Sequence, residues 1–294
     1  MGPSNRVTTA CYYGSLHGGA TKILADICVE KSQRAFIGKC NTGQNNPAYY
    51  TDASADESLR VTEDFISHVR SRDPTFSQIT PIITPRFAIS CTRELLNGLG
   101  KIAAENAGLP IQTHFNEAES EIAVTLSLFP EFENEADLYA YFGLLTDRTV
   151  LTHCCHMTPY EMDRLDALNC GVAHCPIANT TVGGGFMAAP IREFLRRDIK
   201  VGLWTDSGGG FSSSILDAMW QEFIVSNTRD MMTKGEDKSL SLEECFYMAT
   251  LGGARVCGIE QESGNFAIGK LFDELHVHMA SVDGDELNLS STGI

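Results

Sequence analysis

Apolar residues fall into short runs rich in β-branched and aromatic side chains, separated by longer segments in which apolar positions recur every three or four residues. The runs at 7–14, 34–40, 79–84, 111–114, 150–154, 171–175 and 201–205 predict strands. Segments 56–72, 92–108, 158–170 and 214–227 carry the helical period between them, with Asp56 and Thr92 as N-caps and Gly108 as a helix stop. A further helix is predicted over 240–259, then a turn and a terminal strand over 264–280, then a polar tail. Sustained alternation of this kind means parallel strands with crossover helices, in a barrel or a doubly wound sheet. No Gly-x-Gly-x-x-Gly opens any helix, so a dinucleotide-binding sheet has no support. About seven strand–helix units can be counted, whereas a closed (β/α)8 barrel has eight strands. The expected division is a barrel over residues 1–259 and the start of a C-terminal β segment with a loose tail over 260–294.

Composition narrows the classes. At 294 residues and 43% hydrophobic the chain can build one large core. A formal net charge of -16 argues against a nucleic-acid partner, which needs a surplus of Lys and Arg on one face. No basic stretch leads into an apolar segment at the start, and no apolar run is long enough to span a bilayer. The default is a cytosolic protein with no membrane partner, in which the 10 cysteines are mostly buried, reduced thiols.

In a barrel the catalytic side chains come from the C-terminal ends of different strands. Those ends carry His114, His153, His174 and Asp206 here, and Glu117 follows His114 by three positions. Imidazole and carboxylate from separate strands suit a catalytic zinc, which takes about three protein ligands and one water. A neighbouring carboxylate can then shuttle protons. A lone histidine at a strand end is usually structural, but three with an aspartate in one repeating chain point to a site. His174, in GVAHCP, reads as a hydrogen-bonding residue rather than a ligand. Cys154, Cys155 and His156 follow His153 directly, and adjacent strand residues face opposite sides, so the four cannot share one ion. The two cysteines read as packing residues.

Arg86 and Phe87, in ITPRFAIS, form a different signal. The arginine fork matches the O6 and N7 acceptors of guanine, and an aromatic ring can cover a flat base. A surface arginine in an ion pair fits these residues equally well. GNFAIGKL, at 264–271, has Leu271 where a phosphate loop needs Ser or Thr, so it reads as a turn. His-Glu-x-x-His, Gly-x-Ser-x-Gly and Pro-Cys-x-x-Cys are all absent.

The ordered series TPRF, QTHFNE, LTHCC, AHCP with a following Asn, LWTDSGGGFSSSILDA and ATLGGA closely resembles the guanine deaminases of the amidohydrolase superfamily, over nearly the whole chain. The resemblance implies a TIM-type (β/α)8 barrel holding one zinc, hydrolysis of guanine to xanthine and ammonia, and a homodimer. Carried over, His114 and Asp206 would bind zinc, Glu117 would shuttle protons with Asp206 and His153 beside the reacting water, and Arg86, Phe87, His114 and His153 would contact the purine. Two other readings stay open: an aminohydrolase of the same superfamily acting on a different purine or a triazine-like ring, and a non-catalytic short form that associates with a complete subunit. One departure stands out. The superfamily's His-x-His at the end of its first barrel strand has no counterpart upstream of His114, and neither His17 nor His68 supplies it. His276-Val277-His278 has the right letters but lies beyond the barrel. The expectation is therefore a barrel without its first strand, holding zinc weakly or not at all.

Overall fold

Each of the seven runs from 7–14 to 201–205 forms a strand in the computed structural model, which describes residues 7–274 apart from Phe186. In chain order the elements are β1 (Thr9–Tyr13), α1 (Gly18–Glu30), β2 (Arg34–Gly38), β3 (Cys40–Asn41), α2 (Ala55–Arg72), β4 (Ile79–Pro81), β5 (Thr84–Pro85), α3 (Arg93–Glu105) and β6 (Ile111–Phe115). There follow α4 (Glu119–Leu128), α5 (Glu135–Tyr141), β7 (Thr149–His153), α6 (Pro159–Ala167), β8 (Gly171–His174), α7 (Pro176–Thr181), α8 (Ile191–Arg196), β9 (Lys200–Leu203), α9 (Ile215–Met232), α10 (Leu242–Tyr247) and α11 (Gly253–Cys257).

All pairings are parallel, in the orders β1-β2-β4, β3-β5 and β6-β7-β8-β9. A bridge from Ile83 to Ile111 and the bond from His114 N to Arg86 O tie β5 to β6. Strands β2 with β3, and β4 with β5, each fill one interrupted position, so the sheet is an arc of parallel strands running from β1 to β9. Among the described residues no ladder joins those two ends. Of the two arrangements that the alternation allows, this is the barrel type, the one that the resemblance implies.

Side-chain parity divides the core. Leu151, Val172 and Val201 point outward, into the layer that holds Leu95, Leu99, Leu165 and Phe194 of the helices. Val150 and Ala173 point to the other face, where they meet Val256 and Trp204. Helix α11 reaches that inner face because Gly202 has no side chain: a Cβ there would lie 2.7 Å from Gly253 Cα. Its last residue, Cys257, brings Sγ to 3.5 Å from Cys11 Sγ on β1, across 246 positions of sequence.

The local signals held with instructive shifts. Thr92 caps α3, accepting from Leu95 N, whereas α2 is capped by Ser54, accepting from Glu57 N, rather than by Asp56. A serine hydroxyl in extended backbone reaches the third amide, and Asp56 then sits in the first turn, where its charge favours the positive helix end. Helix α3 stops at Glu105, before the predicted Gly108, because Asn106 leaves helical geometry first. The predicted helix over 240–259 is interrupted by a π turn at Met248–Gly252. Residues 264–271 form the predicted turn, tied by Lys270 Nζ donating to Glu260 O, and 264–274 contain no strand. The rest of the predicted terminal strand, with His276 and His278, lies outside the described residues. No described helix is long and apolar enough to cross a membrane.

One packing contact yields a stability test. Alanine normally stabilises a helix relative to glycine by about 0.5–1 kcal/mol. Gly100 on α3 is an exception, because a Cβ there would lie 1.8 Å from the Phe142 carbonyl oxygen. Gly100→Ala is expected to lower unfolding stability by about 1–3 kcal/mol in urea titration, the cost of overpacking against backbone; a neutral or stabilising result would mean that α3 and the α5 C-terminus can separate freely.

Candidate active site

The C-terminal ends of β5 through β9 converge on one mouth. His114, next to last in β6, places Nδ1 2.7 Å from Arg86 O. A carbonyl oxygen only accepts, so Nδ1 carries the proton and the Nε2 lone pair is left for a ligand or substrate. Burial, with His153 nearby, pushes the His114 pKa down to about 3, so the ring is neutral at physiological pH. Tyr13 meets it edge-on at 4.8 Å between centroids, and Phe87 and His153 lie at 5.8 and 5.2 Å.

His153, at the end of β7, is buried, and its Nδ1 lies 2.8 Å from Asn179 Oδ1. Its Nε2 has no hydrogen-bond partner and stands 3.5 Å from Glu117 Oε2. Burial lowers the pKa of His153. Glu117 is pushed up to about 7, first by burial and then by the charge of Asp206. Asp206 follows β9, and its charge acts on Glu117, His153 and Tyr13. Arg86 donates from NH1 to Asn46 Oδ1 at 2.7 Å and holds its guanidinium carbon 5.1 Å from the Phe87 ring centroid. Among the described residues it makes no ion pair. Tyr13, Cys40, Pro47, Tyr49, Tyr50, Arg86 and His114 line a cleft of about 460 Å³.

The backbone is strained where these groups emerge. Asn116, His153, Cys154 and Asp206 have φ of 46°, 76°, 51° and 44°, in the left-handed region that costs non-glycine residues about 1–2 kcal/mol each. Cys154 N donates to Phe115 O, while Cys155 N and His156 N share Asn116 O, so the β6 and β7 ends are laced together. At His153 the left-handed backbone sets the ring beside Glu117 and His114, whereas at Asn116 and Cys154 it turns the side chains back into the protein, toward Glu161 and the Leu151 carbonyl.

A set of acidic residues that the sequence reading missed supports Glu117 from behind. Asn116 donates its backbone N–H to Glu135 Oε2 at 3.0 Å and its amide to Glu161 Oε1 at 2.8 Å. Glu121 Oε2 accepts from Glu117 N and Ala118 N at 2.9 and 3.3 Å. The Thr158-x-x-Glu161 capping box was legible as a pattern, and Asn179 is the Asn that follows AHCP; Glu135 carries no local signal. Burial pushes Glu135 up to about 8 from its ordinary 4.5. Its folded form therefore holds a proton that the unfolded form has lost, and the stability tied to it is full below about pH 4.5 and lost as pH rises toward 8. Glu135→Gln, which keeps an acceptor, should flatten that slope in denaturation at pH 5 and pH 8. Glu135→Ala should instead cost about 1–3 kcal/mol at both, by orphaning the Asn116 N–H.

The remaining candidates lie elsewhere. His174 is hydrogen-bonded as predicted, its Nε2 2.6 Å from Glu222 Oε2 in the outer layer. Cys154 and Cys155 are buried packing residues, their thiols turned to the Leu151 and Met187 carbonyls. His68 pairs with Asp26 between α2 and α1.

Residues 6–285 match the Amidohydrolase family. The chain belongs to the amidohydrolase family. Within that family it is 41% identical over 278 residues to a probable guanine deaminase of Schizosaccharomyces pombe, covering 95% of this chain and 52% of that protein. It is 38% identical to the guanine deaminase of Rattus norvegicus, covering 95% and 60%. The crystal structure of guanine deaminase from C. acetobutylicum with bound guanine superposes with a TM-score of 0.83 at 32% identity, covering 92% of this chain and 62% of that one. Guanine deaminase of E. coli gives 0.82 at 29% identity, covering 90% and 59%. The chain thus spans between half and two thirds of the length of these amidohydrolase relatives.

The zinc implied by the resemblance can be tested against the donors. His114 offers a free Nε2, Asp206 a carboxylate and His153 a second imidazole. Among the described residues, however, no group of three or more His, Cys, Asp or Glu side chains is arranged to hold a metal ion. A catalytic zinc takes about three protein ligands. These residues do not by themselves complete such a site.

Proposed function

We propose that this chain carries the base-binding and proton-transfer residues of a guanine deaminase, for which guanine and water give xanthine and ammonia. The observation that supports it most is the meeting of Arg86, Phe87, His114, Glu117 and His153 at one mouth. The arginine fork would hold O6 and N7, and Phe87 would cover the ring face. Water adds to the ring carbon bearing the exocyclic amine, the ring takes a proton, and ammonia leaves. A carboxyl poised near pH 7 suits both proton transfers: Glu117 passes the first proton of the attacking water to the ring nitrogen, and the second, from the hydroxyl now on carbon, to the departing amine. The His153 lone pair, 3.5 Å away, accepts a hydrogen bond from the protonated Glu117 or from water.

The same reading includes zinc with His114 and Asp206 among its ligands, a role in purine catabolism, a cytosolic homodimer, and the division into a barrel over 1–259 and a C-terminal segment from 260. Exposed Trp220 and Ile224, one turn apart on α9, favour a partner face. Guanine added to the purified chain with zinc, with xanthine followed by absorbance, tests whether the donors present suffice for turnover. Binding without turnover would favour a non-catalytic base-binding subunit, the reading that the incomplete metal donor set supports. Absence of binding would remove both.

A further inference from the structure

Among the described residues Arg86 is the one charged donor lining the cleft, and its aim is set by a residue from another part of the chain. NH1 donates to Asn46 Oδ1 at 2.7 Å. The Asn46 amide is itself fixed: its Nδ2 donates to Gln44 O, and its Oδ1 also accepts from Ser90 Oγ at 3.3 Å. The loop that carries Asn46 is closed at its base by Asp52 N donating to Thr42 O, and by Asp52 Oδ2 accepting from Thr42 N at 3.2 Å. Beneath it Lys39 Nζ, fully buried, lies 2.5 Å from the same carboxylate. On the other side Gln44 donates to Ile89 O and Cys91 O, and Asn45 to Ile89 O, so the loop is pinned to the segment just after Arg86.

We propose that Asn46 is a positioning residue for substrate recognition: it engages one end of the Arg86 guanidinium and turns the remaining N–H donors toward the O6 and N7 edge of a 6-oxopurine. The Lys39–Asp52 pair holds the loop in the register that makes this possible. The proposal rests on the reading that Arg86 holds the purine. A guanidinium flanked by the Phe87 face and free to rotate would present its fork in many directions; one fixed acceptor at NH1 removes that freedom before substrate arrives, which lowers the ordering cost of binding.

The test uses the whole chain and guanine alone, with binding followed by fluorescence of Trp204, whose ring lies 5.7 Å from the cleft residue Tyr13. Asn46→Ala is expected to weaken guanine binding about tenfold, one charge-assisted hydrogen bond's worth. Asn46→Asp, which keeps the acceptor, should restore binding to within about threefold of the parent. Because Asn46 acts through Arg86, the double variant Asn46→Ala/Arg86→Ala should bind no more weakly than Arg86→Ala alone. Parent-like binding by Asn46→Ala while Arg86→Ala is weak would overturn the positioning role and leave the purine reading intact. So would additive losses in the double variant. Parent-like binding by Arg86→Ala would overturn both.

Discussion

Glu117→Gln is expected to reduce xanthine formation from guanine by about 10²–10⁴-fold, the range general acid–base catalysis contributes, while guanine affinity stays within a few-fold of the parent. Glutamine keeps the size and the hydrogen-bonding edge but cannot exchange a proton. Of the carboxylates at the mouth, Glu117 alone combines proximity to an unpartnered imidazole nitrogen, at 3.5 Å, with a pKa raised to about 7. A kcat measured across pH 5–9 separates chemistry from fold: the parent should show a limb near pH 7 that the variant lacks. Undiminished turnover in the variant would remove Glu117 from the proton path.

The largest expected effect on stability comes from Lys39. Its side chain is fully buried, 2.5 Å from an Asp52 carboxylate that is itself 7% exposed, and it also donates to Ser58 Oγ at 3.0 Å. Burial drives the pKa of this ammonium down, and the contact with Asp52 drives it up. Lys39→Ala leaves a buried carboxylate without its cation, which costs about 3–5 kcal/mol, against total domain stabilities of about 5–15 kcal/mol. Urea titration should show the loss. The double variant Lys39→Met/Asp52→Leu should recover part of it, since an apolar pair leaves no orphaned charge. Equal destabilisation by the single and double variants would show that packing at this position matters more than its charge.

Much of this was legible in the sequence because it depended on period and position. Strand runs such as 111–114 and 171–175 announce themselves by apolar density between turn signals, and a strand end is where a barrel displays chemistry, so His114, Glu117 and His153 could be named from position alone. His174, in GVAHCP, reads as a hydrogen-bonding residue, and the structure supplies Glu222 as its partner. What escaped depends on contacts between distant segments. Asn46 meets Arg86 across 40 positions, and Glu135 meets Asn116 across 19, with no local pattern marking either. The cap of α2 moved from Asp56 to Ser54 because several capping residues crowd one turn there, and only backbone geometry chooses among them.

The contact between Cys11 and Cys257 has a consequence for how the chain is made. The inner face of β8 and β9 is covered by α11, which also touches the first described strand across 246 positions. During synthesis the strands emerge and pair in order, but their inner side has no cover until residues 253–257 leave the ribosome. Val150 of β7 and Ala173 of β8 meet Val256, so this cluster can close only after residues 253–257 have been made.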